Sequence, residues 1–422
     1  MAARRHRRAK SGVTMAVAAD APMEATALTP VTRTWLALFA LAWFGYWLLI
    51  MLPGQFMIMK LASLLEPDNK VFVGSFLIFE MAGFLVLGVP VIGWLCDRTR
   101  IRFGRRRTWA LGGLLLASIP FGFVGYQTTW QGAAVLLAVV AVGEAAVLVS
   151  LSAVIADRVP AQQRGRASAA MGLPQVIALA LGMVLVTELI TDVALGWLVI
   201  GAIGLLTPLP FLLAYPEASP PVGQRRPGLI SWNPARLHGY RDLGWAGLSR
   251  VLVNVGNLVG TTYLLYFLSD ELKVADPDSS LLVLTLVYLA GCAIATWLGG
   301  VLTDRWRTRR VLVAICAGLQ VAAALLLALV PSWNASLMAA LLLGVGFGAF
   351  LAVDQALLTD VLPDPETRAR DLGIVNSAQS IPIAPLVGWA VLSVAGYSEL
   401  YLAAAVIMMA GGLVVFKVKS VR

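Results

Sequence analysis

Long apolar segments with at most one charged residue dominate this sequence. Residues 35–59 contain no charge, and residues 71–95 contain only Glu80. An α-helix of about 20 residues crosses ~30 Å of hydrocarbon, so each segment is long enough to span a bilayer. Of the 422 residues, 59% are hydrophobic and 13% are charged, whereas soluble domains carry about 25% charged residues. The sequence therefore predicts an integral membrane protein.

The predicted fold is all-α, with twelve transmembrane helices. The expected helices cover residues 35–59, 71–95, 108–126, 131–156, 167–190, 194–215, 244–268, 280–302, 310–330, 335–361, 371–395 and 398–417. We interpret residues 1–34 as a disordered basic cytoplasmic tail that contacts anionic lipid. A cleavable signal peptide is not expected, because the first apolar segment is too long for one.

The distribution of basic residues predicts the orientation of the chain. Positive charge concentrates on cytoplasmic loops, and 29 of the 32 Lys and Arg residues fall on one side if both termini are cytoplasmic. The exceptions are Lys60, Lys70 and Lys273. We therefore expect a multi-pass protein of the inner membrane with a cytoplasmic linker at 216–243 and a short cytoplasmic tail at 418–422.

The two halves of the chain resemble each other. The segment GWLCDR at 93–98 recurs as GVLTDR at 300–305. A second set recurs about 204 positions later: Asp157, Pro160, Arg164, Arg166 and Gln175 match Asp360, Pro363, Arg368, Arg370 and Gln379. The chain is thus predicted to form two six-helix bundles, 35–215 and 244–417, in a parallel repeat. Such repeats place a binding site near the midplane between the halves.

The loop after the second segment carries the most specific pattern. Its residues are Gly93, Asp97, Arg98, Gly104, Arg105 and Arg106, and the second half keeps Gly300, Asp304 and Arg305. This loop resembles the signature loop of the major facilitator superfamily. The RFGRRR ending and residues 352–379 are similar to the branch that contains cation-coupled glycoside and sucrose symporters. The resemblance implies a transporter that works by alternating access.

Physical chemistry gives this loop a gating role. Gly93 would allow two helices to approach closely, and Asp97 could bond to the amides at a neighbouring helix N-terminus. The alternative is a loop whose arginines only set the topology. A second cytoplasmic charge network is expected from Asp157, Arg164, Arg166, Asp360, Arg368 and Arg370. Its alternative is helix termination by proline with solvated charges.

Three acidic residues lie within predicted spans: Glu80, Glu144 and Asp354. An acid at the centre of a membrane helix costs about 2.5–3.5 kcal/mol on insertion scales, so each should face the bundle interior. We interpret them as candidates for carrying a proton. The alternative is a structural salt bridge or hydrogen bond to a neighbouring helix.

Polar residues on helical faces predict a cavity for a hydroxyl-rich ligand, which needs many neutral hydrogen bonds. The candidates are Gln55, Gln175, Arg250, Asn254, Asn257, Thr261, Asn376 and Gln379. The alternative for each of them is an interhelical hydrogen bond, worth roughly 0.6 kcal/mol.

The functional prediction is a proton-driven transporter of a small polar solute such as a sugar or glycoside. It acts as a monomer in the lipid bilayer, without cofactor, metal or nucleic acid. Export of a drug-like or secondary metabolite is the alternative within transport, although Gly172-Leu-Pro174-Gln175 departs from the Gly-Pro-x-x-Gly-Gly pattern of exporters. A sensor or scaffold with a transporter-like fold is the alternative of another class. The spans show no spacing of catalytic residues, which disfavours an enzyme.

Overall fold

The computed structural model of the protein describes residues 30–99, 104–215, 240–305, 308–361 and 382–420. Within these ranges the chain is helical with short connections, and it contains no β-strand. Eleven of the described helices are long and apolar enough to cross a membrane, and the apolar helix Ile383–Leu392 is shorter, with 10 described residues. The prediction of an all-helical membrane protein is confirmed.

The helices are numbered in chain order. They are α1 (Arg33–Leu65), α2 (Lys70–Arg98), α3 (Arg105–Val124), α4 (Trp130–Arg158), α5 (Arg164–Leu189), α6 (Val193–Ala214), α7 (Arg241–Glu271), α8 (Pro277–Arg305), α9 (Arg309–Leu329), α10 (Trp333–Asp360), α11 (Ile383–Leu392) and α12 (Tyr397–Val414). The largest difference at a described end is in α1, which continues six residues beyond the predicted position 59. Residues 371–381 of the eleventh predicted helix lie outside the described residues.

Short polar side chains start several helices. A hydroxyl or carboxylate just before a helix can accept a hydrogen bond from an unpaired N–H of its first turn. Thr32 does so for α1, Thr129 for α4, Asp192 for α6 and Ser332 for α10. These residues fix where the helices begin.

The helices run between two faces of the molecule. We call the face where α1 begins and α12 ends the terminal face, and the opposite face the distal face. The distal face includes residues 66–69, 190–192 and 272–276, which join successive helices. Large apolar side chains such as Leu87 and Trp297, each 70% exposed, cover the sides of the helices, as expected where lipid replaces water.

Three helices contain a π-helical turn toward the distal face: Pro53–Met57 in α1, Leu185–Leu189 in α5 and Phe267–Glu271 in α7. Pro53 has no N–H and cannot continue the α-helical bonding pattern. Within the same turn the N–H of Ile58 donates to the Pro53 carbonyl, five residues back, where an α-helix would bond four residues back. Turns of this kind are rare and often lie at functional sites.

Helices α1–α6 and α7–α12 form two bundles with the same internal packing. Helix α4 lies against α2 and α3, and α10 lies against α8 and α9 in the same way. Glycines permit these contacts. A Cβ built on Gly143 of α4 would lie 2.6 Å from the Gly113 carbonyl of α3, and one on Gly346 of α10 would lie 2.9 Å from the Cys316 carbonyl of α9.

Gly93 does not occupy such a contact. A Cβ built there would meet Val149 at 3.9 Å, an ordinary van der Waals distance, and one at Gly300 would meet no atom of the described chain within 4 Å. The tight approach between α2 and α4 lies nearer the distal face, at Gly88, where a Cβ would be 3.1 Å from that of Ala145. Among the described residues, Gly93 therefore makes no close helix contact of the kind expected from the sequence.

Candidate functional site

Glu144 lies in the middle of α4 and is completely buried. The residues beside it pack on neighbouring helices, Gly143 against α3 and Ala145 against Gly88 of α2. Tyr46 of α1 lies within electrostatic range of the carboxyl group. Neither carboxyl oxygen of Glu144 finds a hydrogen-bond partner among the described residues. A carboxyl group in such an apolar site is costly to ionise.

Glu80 lies on α2, one of the two helices that flank α4. Its side chain is half-buried, and its Oε2 atom is buried with no hydrogen-bond partner in the described part of the chain. The N-terminal bundle thus contains both of the glutamates predicted from the sequence. Each has a buried carboxyl oxygen without a hydrogen-bond partner among the described residues.

Asp354 lies on α10 in the C-terminal bundle and is 1% exposed. Its Oδ2 atom is 3.2 Å from Nη1 of Arg250 on α7, a charge contact without the alignment of a hydrogen bond. Arg250 also donates to Oε1 of Gln355 at 3.3 Å. Asp354 therefore has a cationic partner, unlike Glu144. Asp354 and Arg250 were predicted for different roles, and the structure brings them together.

The polar residues predicted along one face of α7 form hydrogen bonds within the C-terminal bundle. Asn254 donates to the Arg250 carbonyl at 2.9 Å, and Thr261 donates to the Asn257 carbonyl at 3.1 Å. Asn257 is buried and donates to Oε1 of Gln320 on α9 at 3.3 Å. It also accepts a hydrogen bond from the Tyr288 hydroxyl of α8 at 3.3 Å. For Asn257 this is the alternative expected from the sequence, an interhelical hydrogen bond.

Gln175 of α5 lies at the seam with α1, and Gln55 lies further along α1 toward the distal face. The Gln175 amide points at the Met51 sulfur, 3.5 Å away, and sulfur is a weak acceptor. Gln55 lies one turn beyond Met51, within the π-helical turn that contacts α7. Both amides are half-buried. Of the predicted cavity residues in the described chain, these two have the weakest hydrogen bonding. Asn376 and Gln379 lie outside the described residues.

The signature loop lies at the terminal face between α2 and α3. The guanidinium carbon of Arg98 is 3.8 Å from the centre of the Trp94 ring, which is a cation–π contact. Gly104 has φ of 92°, a conformation that favours glycine, and Arg105 and Arg106 begin α3 directly after it. The side chains of Asp97, Asp304 and Arg305 lie outside the described residues.

The second predicted charge network is described in part. Asp360 forms an ion pair with Arg309 of α9, a partner that the repeat pattern did not indicate. Arg164 is exposed and donates to the Val159 carbonyl at 3.4 Å, and Arg166 is exposed. The Asp157 side chain, Arg368 and Arg370 lie outside the described residues.

The structure also contains a site that sequence reasoning missed, which we call the distal cluster. Five hydrogen bonds or ion pairs join the two bundles there. Its residues are Lys60, Lys70 and Ser75 from the N-terminal bundle and Tyr263, Tyr266, Asp270 and Asp278 from the C-terminal bundle. The sequence did contain one signal: Lys60 and Lys70 are two of the three basic residues that fall outside the segments predicted to be cytoplasmic.

These features define a membrane protein of two equivalent helical bundles, joined at the distal face and each containing a buried acid. The chain belongs to the Major Facilitator Superfamily, whose sequence model matches residues 34–269 and 246–422. A comparison with curated protein sequences finds no significant match.

Solved structures with the same fold include several transporters. A mutant of the nucleoside transporter NupG has a TM-score of 0.71 at 11% identity, over 91% of this chain and 99% of that one. A D-xylose–proton symporter has a TM-score of 0.64 at 16% identity, over 91% and 96%. A bacterial homologue of the human lysosomal transporter Spinster, in an inward-facing and unoccupied conformation, has a TM-score of 0.58 at 17% identity, over 92% and 96%.

Proposed function

We propose that the protein is a proton-coupled secondary transporter that moves a small polar solute, such as a sugar or glycoside, by alternating access. Membership of the superfamily supports transport as the general activity. The proton coupling, the solute class and the direction of transport are inferences from the residues of this chain.

The observation that carries the coupling proposal is the state of Glu144. An ionised carboxylate in an apolar interior needs a counter-charge or hydrogen bonds, and Glu144 has neither among the described residues. It therefore holds a proton in this conformation. When the bundles move apart at one face and water reaches α4, the proton can leave. Glu80, with its buried unpaired oxygen, is the second candidate for this role.

The same reasoning gives Asp354 a different role. Arg250 lies 3.2 Å away and supplies the counter-charge, so Asp354 can stay ionised without taking up a proton. We infer that the pair braces α7 against α10, and that Asp354 becomes a proton carrier only if Arg250 turns away during the cycle.

The amide side chains support a neutral, hydroxyl-rich solute. Gln175 in the α1–α5 seam and Gln55 in the π-helical turn of α1 have no strong hydrogen-bond partner in the described chain, and Asn254 keeps its amide oxygen available. Amides can both donate to and accept from hydroxyl groups. The loops that resemble glycoside and sucrose symporters support the same class, and the fold is shared with a sugar–proton symporter and a nucleoside transporter.

The orientation follows from the basic residues. The terminal face carries the arginine-rich loops and is assigned to the cytoplasm, so the distal face is extracytoplasmic. The signature loop at the terminal face, with Asp97 and Arg98, is proposed to gate the cytoplasmic side. Both bundles belong to a single chain, which supports function as a monomer in the inner membrane.

Purified protein reconstituted into liposomes tests the proposal. Uptake of labelled sugars, glycosides, nucleosides and hydrophobic cations is measured with an imposed pH gradient, with and without a protonophore. We expect a sugar or glycoside to accumulate above its external concentration and the protonophore to abolish that accumulation.

Other results would identify the alternatives. Proton-driven movement of hydrophobic cations alone would make the protein an exporter of drug-like compounds. Saturable binding of a solute without movement across the membrane would make it a sensor or scaffold. Accumulation that persists with the protonophore would remove the proton from the mechanism.

A further inference from the structure

A small cavity lies inside the C-terminal bundle, among α7, α9, α10 and α12. Each of these helices supplies residues to its wall, among them Gly260, Ala323, Ala339 and Met408. Its volume is about 20 Å³, counted over the positions that the centre of a water molecule can take. One water molecule needs about 10–15 Å³ on this measure. The cavity therefore has room for one water molecule and is too small for a sugar or a similar solute.

The side chains of the cavity wall are apolar except for two hydroxyl groups, those of Ser336 on α10 and Tyr401 on α12. Among the described residues no charged side chain lines the cavity. An ion would have to give up its hydration shell there for two hydroxyl groups, which is costly. The wall thus favours a small neutral ligand over an ion.

The Tyr401 hydroxyl has no hydrogen-bond partner in the described part of the chain, although the side chain is completely buried. The ring packs edge to face on Phe267 of α7, with the ring centres 5.1 Å apart. Because the ring is enclosed by its neighbours, the hydroxyl group cannot turn toward solvent. Buried hydroxyl groups in native proteins form hydrogen bonds to protein or to ordered water in the large majority of cases. The Tyr401 hydroxyl therefore requires a partner inside the cavity.

Ser336 supplies a second polar contact for such a partner. Its side chain is buried, and the hydroxyl donates to the Ser332 carbonyl at 2.9 Å. The oxygen of Ser336 can still accept a hydrogen bond, whereas the Tyr401 hydroxyl can both donate and accept. A water molecule can donate to Ser336 and pair with Tyr401 in either direction.

The part of α7 that borders the cavity is irregular. The regular helix ends at Thr262 and resumes at Leu264, and the N–H of Tyr263 donates to the Thr261 carbonyl, two residues back. A regular α-helix would bond four residues back. Gly260 and Leu264, on either side of this interruption, both belong to the cavity wall. Ordered water is one of the groups that satisfy backbone atoms freed by such interruptions in membrane helices.

We propose that this cavity binds one ordered water molecule, which joins the Tyr401 hydroxyl of α12 to the Ser336 hydroxyl of α10 beside the interruption of α7. Ser336 and Tyr401 lie near the starts of their helices, so the water stabilises the packing of the C-terminal bundle toward the distal face. The proposal concerns contacts within one bundle, and it does not depend on the proposed transport function or on the solute.

X-ray radiolysis of the purified protein in detergent tests the water site directly. The radiation converts water, including buried water, into hydroxyl radicals that oxidise adjacent side chains, and mass spectrometry locates the products. Met408 and Met183 are both completely buried, but Met183 does not belong to the cavity wall. We expect Met408 and Tyr401 to be oxidised several-fold faster than Met183. Oxidation of Met408 and Tyr401 as slow as that of Met183 would overturn the proposal.

The substitution Tyr401→Phe provides an independent test through the sign of its effect on stability. With water bound, it removes a hydrogen bond and should raise the equilibrium constant for unfolding in detergent about threefold to tenfold. In a dry cavity it would remove a hydroxyl group that has no partner, and the protein would become more stable. Stability equal to or above that of the wild type would therefore contradict the water site.

Filling the cavity gives the third measurement. A Cβ built on Gly260 meets only Leu343, at the ordinary distance of 3.9 Å, so Gly260→Ala places a methyl group in the cavity without a clash. This methyl group takes the space of the water, and Tyr401→Phe should then no longer destabilise the protein. Because Tyr401→Phe is measured within each background, the helix propensity gained by Gly260→Ala cancels.

Gly244→Ala is the matched control on the same helix, since a Cβ there meets no atom of the described chain within 4 Å. In this background Tyr401→Phe should keep its full effect. An equal effect of Tyr401→Phe in the Gly260→Ala and Gly244→Ala backgrounds would show that the two positions do not share a water molecule.

These measurements need no solute and no proton gradient. Rapid oxidation of Met408 in a protein that takes up no solute would retain the water site and reject the proposed transport function. Normal uptake with Met408 oxidised as slowly as Met183 would do the opposite.

Discussion

Helices α4 and α10 occupy equivalent places in the two bundles, yet they carry different polar residues. The glycine contacts Gly143–Gly113 and Gly346–Cys316 align the bundles with an offset of 203 residues. At this offset Phe347 of α10 corresponds to Glu144 of α4. The repeat therefore preserves the packing of the helices but not their charges.

The reverse difference, an acid in α10 and an apolar residue in α4, occurs seven residues further along, about two helical turns away. Asp354 of α10 corresponds to Leu151 of α4, which is completely buried in an apolar cluster. The N-terminal bundle thus holds an unpaired acid, and the C-terminal bundle holds an acid paired with Arg250. An unpaired acid can exchange a proton without breaking a contact, whereas a paired acid stabilises the bundle. The comparison supports the proposal that coupling belongs to the N-terminal bundle and bracing to the C-terminal bundle.

The largest expected effect concerns the brace. Asp354→Asn leaves Arg250 buried without its counter-charge, which should cost about 3–5 kcal/mol of stability. Thermal and chemical unfolding in detergent measure the loss. The double variant Arg250→Met/Asp354→Leu removes both charges and should recover most of the stability. A single variant as stable as the wild type would show that the ion pair does not brace α7 against α10.

The second effect concerns coupling. One proton crossing 100 mV releases about 2.3 kcal/mol, which sustains a solute gradient of roughly 50-fold because about 1.36 kcal/mol is a factor of ten. Glu144→Gln keeps the shape and removes the titrating proton, so the gradient should fall to about 1 while binding or downhill exchange continues. Because Glu144 has no partner in the described chain, thermal stability should not fall. Accumulation is measured in liposomes.

Glu80→Gln is the matched variant for this measurement, since Glu80 lies on the adjacent helix. Gln at one of the two positions should abolish accumulation. If both variants still concentrate the solute, neither residue carries the proton, and Asp354 becomes the next candidate.

The third effect compares the two copies of the signature loop. A charge at a helix terminus is worth about 0.3–2 kcal/mol, so Asp97→Asn should shift the conformational balance by up to roughly 30-fold and slow transport. Asp304→Asn should do less, because its loop contains fewer basic residues. Cysteine labelling at the terminal face gives the readout. If the Asp97→Asn variant labels and transports as the wild type does, the loop serves only to set the topology and does not act as a gate.

The smallest effect concerns the neutral network of the C-terminal bundle. Tyr288→Phe removes the hydroxyl that donates to Asn257 and should cost about 0.6 kcal/mol, the typical value for an interhelical hydrogen bond in a membrane protein. Unfolding measurements test this, with accumulation expected to stay at the wild-type level. A loss of accumulation with unchanged stability would place Asn257 in the solute site.

The sequence predicted the membrane fold and the burial of Glu144 and Asp354, because apolar length and intramembrane charge are local properties. It did not predict the partner of each polar residue, because pairing depends on which helices become neighbours. Arg250 was predicted as a cavity residue, and its proximity to Asp354 was not predicted. Gln320 and Tyr288 were overlooked because each is flanked by apolar residues in the sequence, and their importance depends on Asn257 of a third helix.

The π-helical turn of α1 limits how substitutions in this helix can be interpreted. An α-helix advances about 100° per residue, and the widened turn at Pro53–Met57 shifts the sides of the helix on either side of it relative to each other. A helical-wheel diagram drawn through the whole of α1 would therefore give a wrong angle around the helix axis between Lys60 and Trp43. Deleting one residue within the turn would restore a regular helix and rotate its last two turns by about a quarter-turn. Insertions and deletions at this point alter α1 more than most point mutations of the same residues.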